Sequence, residues 1–129
     1  MNARAAIITR GLAEITRFGV ALGADPLTFM GLAGVGDLFL TCTCEKSRNF
    51  TVGYRIGKGE TLAYINETLG SVAEGIPTTK AAYDLARKLG IDSPITDQVY
   101  KVLYEHKPLM DAMHDLVHRK PHAEFRGIQ

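Results

Sequence analysis

The sequence predicts an all-α domain, and three observations predict it. Apolar residues recur at intervals of three, four and seven along most of the chain. Capping residues and prolines stand where those stripes begin, and glycines stand where they end. No succession of alternating, strand-like runs is present, so a nucleotide-binding βαβ unit is not expected. The 129 residues suit one domain able to bury a substantial core. About seven helices are expected within residues 1–120, followed by a polar, mobile tail over 121–129.

Between Asn2 and Leu22, the residues Ile8, Leu12, Ile15 and Leu22 form one stripe, while Arg4, Arg10, Glu14 and Arg17 take other faces. This spacing predicts a first helix with Asn2 as its N-cap and Gly23 as its stop. Gly11 and Gly19 each cost it about 1 kcal/mol against alanine, which points to a closely packed neighbour. Asp25-Pro26 is a cap followed by proline, the start of a short helix through Phe29 and Met30. Gly31, Gly34 and Gly36 interrupt the chain before Asp37, and Leu38-Phe39-Leu40 fits a buried helix or a short strand, with helix the preferred reading. Ser47 caps a helix to about Ile56, closed by Gly57 and Gly59, and Leu62, Ile65 and Leu69 form the stripe of the next. Gly70 to Pro77 reads as a break. Within it Ser71-Val72-Ala73-Glu74 has capping-box spacing, but Gly75 and Pro77 oppose a helix there. The following helix places Ala82, Leu85, Ala86 and Leu89 inward and stops at Gly90. Ser93-Pro94 starts another, with Ile95, Val99 and Val102 inward and an end near His106. Pro108 opens the last, with Leu109, Met113 and Leu116 as its apolar face, and Pro121 ends it.

Composition narrows the function. Fifteen basic and fourteen acidic side chains give a net charge of +1, a field that recruits neither nucleic acid nor an anionic membrane. No apolar run approaches the ~20 residues of a membrane span, so membrane insertion is not expected. Met1-Asn2-Ala3-Arg4 lacks the features of a signal peptide, and a cytoplasmic protein is expected. Cys42 and Cys44 are the only cysteines; their spacing makes neither a normal disulfide framework nor half of a zinc site, and they read as reduced thiols.

Gly31-Leu32-Ala33-Gly34-Val35-Gly36 reverses the spacing of a dinucleotide-binding loop and is not read as one. His114-Asp115-Leu116-Val117-His118 has the outline of a zinc-binding helix. However, Asp is shorter than the usual glutamate base, Arg119 and Lys120 repel a dication, and no third ligand is evident. These histidines read as solvated surface residues. Glu74 is either a solvated loop carboxylate or an acceptor for ligand hydroxyls. The densest constellation is Asp37 with Ser47-Arg48-Asn49. A helix N-terminus offers free N–H groups and a positive dipole end, and Arg48 adds a fork suited to phosphate. Ser47 and Asn49 can donate further bonds, and Asp37 can accept from an alcohol. The same residues also fit an ordinary capped surface helix, with Asp37 as a second cap.

One resemblance is more specific than this chemistry. Asn2-Ala3-Arg4-Ala5-Ala6-Ile7-Ile8-Thr9-Arg10-Gly11, Thr28-Phe29-Met30-Gly31-Leu32-Ala33-Gly34, Gly36-Asp37-Leu38 with Thr41-Cys42, and Ser47-Arg48-Asn49 follow in order. Gly53, Gly57, Gly59, Glu74-Gly75 and Pro94-Ile95 continue the pattern. Together they resemble bacterial NAD(P)-dependent glycerol-3-phosphate dehydrogenases, from Asn2 to about the final helix. The resemblance implies a helical domain like the C-terminal domain of 6-phosphogluconate dehydrogenase. It implies an enzyme that interconverts glycerone phosphate and sn-glycerol 3-phosphate by hydride transfer with NADPH or NADH, for phospholipid synthesis.

In that family an N-terminal Rossmann domain binds the nucleotide and a helical C-terminal domain closes the substrate site. The resemblance places Asp37, Ser47, Arg48 and Asn49 on the substrate, and Arg48, Val72 and Glu74 along the cofactor. The family's catalytic lysine lies upstream of the Asn2-Ala3-Arg4 start, and Lys46 and Lys80 match neither its position nor its motif. The expectation is therefore a piece of a longer enzyme, abruptly begun and inactive alone, with the Rossmann domain as its missing partner. NADH and NADPH would be discriminated on that domain. The surface it would cover suggests self-association. Two other readings are a helical interaction module working through a partner chain, and the helical domain of another hydroxyacid or 6-phosphogluconate-type dehydrogenase. The latter would not be expected to carry Ser-Arg-Asn in this spacing.

Overall fold

A computed structural model describes residues 3–27, 47–71 and 73–118. Among these residues every regular element is helical: α1 (Ala3–Ala21), α2 (Arg48–Gly57), α3 (Leu62–Thr68), α4 (Gly75–Leu89), α5 (Pro94–Tyr104) and α6 (Leu109–Val117). The all-α class is as expected, with six described helices beside the roughly seven anticipated. Pro26 and Leu27 begin a 3₁₀ turn in which Asp25 Oδ1 accepts from the Leu27 N–H at 3.0 Å. The Asn2 cap, the glycines from Gly31 to Gly36, the helix expected at Leu38–Leu40, both cysteines and the tail after Pro121 lie outside the described residues.

The first helix ends where its glycine predicts, since Gly23 takes φ +96° and donates to Val20 O at 3.0 Å. Its buried face, however, is turned from the expected one. Ala13, Glu14 and Thr16 are buried, whereas Ile15 is 42% exposed and Leu22 65%. The physical reason is Glu14, which sequence patterning placed outward. Its Oε1 accepts from the Ile95 N–H at 2.8 Å, and its Oε2 accepts from the Thr96 N–H at 2.8 Å and from the Thr96 hydroxyl. Glu14 thus caps α5 from another helix, supplying acceptors that the first turn of any helix lacks. Ser93, the expected cap, makes no capping bond and donates from Oγ to Asp97 Oδ1 at 3.2 Å. Two cations extend the clasp: Arg17 Nε donates to Asp92 O at 2.8 Å, and Arg10 reaches Leu116 O at 3.2 Å. α5 passes beside Gly11, but a Cβ there would meet Ile95 Cδ1 at an ordinary 4.0 Å, so this described neighbour does not demand glycine.

Burial pushes the Glu14 carboxyl above its ordinary value near 4.5, against the opposing pull of Thr96, Ile95 and Arg17. The folded chain therefore holds this proton more tightly than the unfolded chain. Stability from this site is complete below about 4.5 and falls as pH rises through the raised value. Urea unfolding of the native chain and of Glu14→Gln checks the sign: the native chain's stability relative to the variant is expected to be larger at about pH 4 than at about pH 7. A relative stability that grows with pH would contradict it.

α2 and α3 form a hairpin with a small core of Val52, Ile65 and Ala73, sealed by Ile56, Leu62, Leu69 and Ile76. The caps are local. Ser47 Oγ serves α2 and Thr61 Oγ1 accepts from the Tyr64 N–H at 3.2 Å to begin α3. Arg55 joins the two by pairing with Glu60 at 2.7 Å and donating to Thr68 Oγ1 at 2.6 Å.

Helix α4 begins at Gly75, earlier than expected. Glu74 is its N-cap rather than a loop residue, and Pro77 falls in the first turn, where its missing N–H removes no intrahelical bond. Gly90 ends the helix at φ +67° as anticipated, but Leu89 is 44% exposed and Ala86 is the fully buried residue of this element. Tyr83 and Tyr100 stack at 3.8 Å between α4 and α5, Tyr104 extends the stack, and its hydroxyl donates to Ile76 O at 2.8 Å. α6 folds back on α5, held by Lys107, which donates to Gln98 Oε1 at 2.6 Å and to Asp115. Met113, expected inward, is 38% exposed, and Ala112 takes the buried position. No helix among the described residues is long and apolar enough to cross a membrane.

Candidate functional site

The N-termini of α2 and α4 meet at one cleft. Ser47 stands before α2 with extended backbone (φ −65°, ψ 132°), and its Oγ accepts from the Phe50 N–H at 3.3 Å while its carbonyl accepts from the Thr51 N–H at 3.0 Å. Its hydroxyl proton is thereby left to donate. The N–H groups of Arg48 and Asn49 come too early in the helix to find an intrahelical acceptor, and they have none among the described residues. No acidic residue stands in the first turn of α2 to neutralise its positive end.

Helix α4 differs. Asn49 Oδ1 accepts from the Gly75 N–H at 2.9 Å, the Ile76 N–H bonds to Ala73 O at 3.1 Å, and Pro77 has no N–H. Its early donors are thus already engaged, while the first two of α2, at Arg48 and Asn49, have no acceptor among the described residues. The Asn49–Gly75 bond also fixes the two helix ends against each other. A cleft of about 370 Å³ results, lined by Ser47, Arg48, Asn49 and Glu74. Arg48 and Glu74 are exposed, and neither side chain has a partner among the described residues. The cleft therefore presents a guanidinium, two free N–H groups, a hydroxyl donor and an Asn Nδ2 on one side, with a carboxylate on the other. Such an arrangement binds an anion at α2 and accepts from hydroxyl or amide donors at Glu74. An apolar groove of about 290 Å³ adjoins it, sharing Asn49 and lined by Gly75, Val52, Ile76, Val102 and Leu109.

Of the residues singled out from sequence, Ser47, Arg48, Asn49 and Glu74 come together. Asp37 and Val72 lie outside the described residues. Sequence reasoning misses the helical place of Gly75, because a glycine shortly ahead of Pro77 signals a loop. His114 and His118 stack at 4.0 Å on the exposed surface of α6. Lys107 draws the neighbouring Asp115 carboxyl below its ordinary range. Among the described residues no group of three or more His, Cys, Asp or Glu converges as a metal site.

Comparison with known proteins gives the family of the chain. The family model described as NAD-dependent glycerol-3-phosphate dehydrogenase C-terminus matches residues 1–114. A glycerol-3-phosphate dehydrogenase [NAD(P)+] of Lactococcus lactis subsp. lactis is 57% identical over 127 residues, covering 98% of this chain and 37% of the relative. The enzyme of that name from Geobacter sp. is 56% identical over 123 residues, covering 95% and 37%. A crystal structure of glycerol-3-phosphate dehydrogenase from Coxiella burnetii superposes with a TM-score of 0.88 at 40% identity, over 92% of this chain and 37% of that one. The chain spans about 37% of the length of these relatives. With a family match over 114 of its residues, the chain belongs to the family of NAD-dependent glycerol-3-phosphate dehydrogenase C-terminal domains.

Proposed function

We propose that this chain is the substrate-side helical domain of an NAD(P)H-dependent glycerol-3-phosphate dehydrogenase. Its cleft grips the phosphate of glycerone phosphate or sn-glycerol 3-phosphate at the N-terminus of α2. The observation that carries this reading is the open donor set of α2, with the N–H groups of Arg48 and Asn49 and the Arg48 guanidinium in one cleft. Ser47 Oγ and Asn49 Nδ2 add donors, and Asp37 accepts from the substrate alcohol. Glu74, exposed across the cleft, suits the hydroxyl or amide donors of a nicotinamide nucleotide. Of the described residues, Arg48 and Glu74 so fit one flank of NADPH or NADH, and Val72 is assigned beside it as well. That cofactor, when bound, supplies the hydride.

The cleft as described is lined by no lysine or histidine that could pass a proton to the carbonyl oxygen. We assign that proton to a lysine on a nucleotide-binding Rossmann domain, in keeping with the greater length of the relatives. Residues 1–120 are then the helical domain and 121–129 a tail. The enzyme works in the cytoplasm, serving phospholipid synthesis. Leu27 and Met110 are 76% and 73% exposed, which favours self-association of the chain alone.

Titration of the isotopically labelled chain with glycerol 3-phosphate tests the substrate assignment. The amide resonances of Arg48, Asn49 and Gly75 are expected to shift saturably, and inorganic phosphate is expected to compete. No saturable shift at millimolar ligand would sink the reading. The purified chain is also expected to leave NADPH unoxidised in the presence of glycerone phosphate; saturable turnover would overturn the division of labour between domains.

A further inference from the structure

We infer that Gly75 is a positioning residue that, through Asn49, sets the anion-binding end of α2 against Glu74; the inference rests on the phosphate reading above. Arg48 and Glu74 sit on different helices, and the described polar bond between the two helix ends is the one from the Gly75 N–H to Asn49 Oδ1, at 2.9 Å. The bond commits the Asn49 amide oxygen to the backbone of α4 and thereby orients its Nδ2 as a donor. It also consumes the first N–H of α4, so that α2 alone presents an open positive end to the cleft.

Glycine is required here for space and not for φ, since Gly75 is absent from the residues with positive φ. A Cβ at this position would fall 2.7 Å from Asn49 Oδ1, 2.9 Å from Cγ and 3.1 Å from Nδ2. The whole amide group occupies the place of the missing methyl. A larger residue therefore forces the Asn49 amide to shift, which strains or breaks the bond and loosens the spacing of the two helix ends.

A binding cycle on the full chain tests this, with glycerol 3-phosphate as the probe. Gly75→Ala is expected to weaken binding about tenfold, the scale of one lost hydrogen bond plus a misplaced donor. Asn49→Ala is expected to weaken it at least as much and to speed hydrogen exchange at the Gly75 amide. The double variant decides between positioning and general damage. With the amide gone the methyl has nothing to strike, so Asn49→Ala/Gly75→Ala should both melt and bind like Asn49→Ala alone. Additive losses in the double variant would overturn the inference, as would native affinity in Gly75→Ala. If that native affinity accompanies lost binding in Arg48→Ala, the phosphate reading stands and only the role of Gly75 falls. Failure of the unsubstituted chain to bind overturns both.

Discussion

Replacing Glu14 by alanine is expected to destabilise the domain by roughly 3 kcal/mol, a fall in melting temperature of roughly 10 °C for a chain of this size. The carboxylate is 4% exposed and receives the N–H groups of Ile95 and Thr96 together with the Thr96 hydroxyl. Alanine leaves those donors without acceptors at a place largely closed to water, where each unmade bond costs about 1–3 kcal/mol. The loss is smaller than the sum of the three because burial already burdens the ionised carboxyl, as its raised pKa shows. Glu14→Gln retains one oxygen acceptor and is expected to cost about half as much. Chemical denaturation of both variants measures the difference. A change within about 0.5 kcal/mol for alanine would mean that the first turn of α5 finds other partners and that Glu14 is not its cap.

The second large effect concerns ligand rather than fold. Arg48→Ala is expected to weaken glycerol 3-phosphate binding about 100-fold, the loss of a charge-assisted, two-pronged contact in a cleft where the helix end contributes the rest. Lysine at this position keeps the charge without the planar fork, and Arg48→Lys should retain binding about tenfold weaker than native. Stability should not follow affinity. Arg48 is exposed, has no partner among the described residues, and sets a cation at the positive end of α2, an unfavourable place by its dipole. A melting temperature that stays level or rises in Arg48→Ala, with binding lost, is the signature of a residue placed for function. A fall in melting temperature with unchanged affinity would reverse the assignment. Calorimetric titration at two salt concentrations adds a check, since the native affinity should decline with ionic strength more steeply than that of the alanine variant.

Much of the fold was legible in the sequence because its signals are local. Ser47, Gly23, Gly90 and the stripe of Leu62, Ile65 and Leu69 each act within a turn of their own helix, and the structure places each where the pattern does. What was not legible depends on partners far along the chain. Glu14 read as an outward charge because periodicity assigns polar residues to water; its acceptors serve residues more than eighty positions away. The start of α4 was missed for a related reason. Gly75 and Pro77 are poor helix residues in isolation, yet the first turn needs no N–H at Pro77, and the N–H of Gly75 is satisfied by Asn49 from another helix. The site followed the same rule. Ser47-Arg48-Asn49 is one contiguous signal at a cap, whereas the pairing of that cap with Glu74, far along the chain, is a tertiary fact that no spacing in the sequence encodes.

The Asn49–Gly75 bond has a thermodynamic consequence. Among the described residues the small core of the α2–α3 hairpin is closed by Ile76 of α4, while α4, α5 and α6 pack on one another in sequence. The cleft lies where the N-termini of α2 and α4 meet, on the seam between these two groups. A ligand held by Arg48 on one side and Glu74 on the other would bind only when both are folded and in register, and so would couple their opening equilibria. Substrate and cofactor would then act as mortar as well as cargo: the domain would tighten across the join of α2 and α4 at the moment the site is filled.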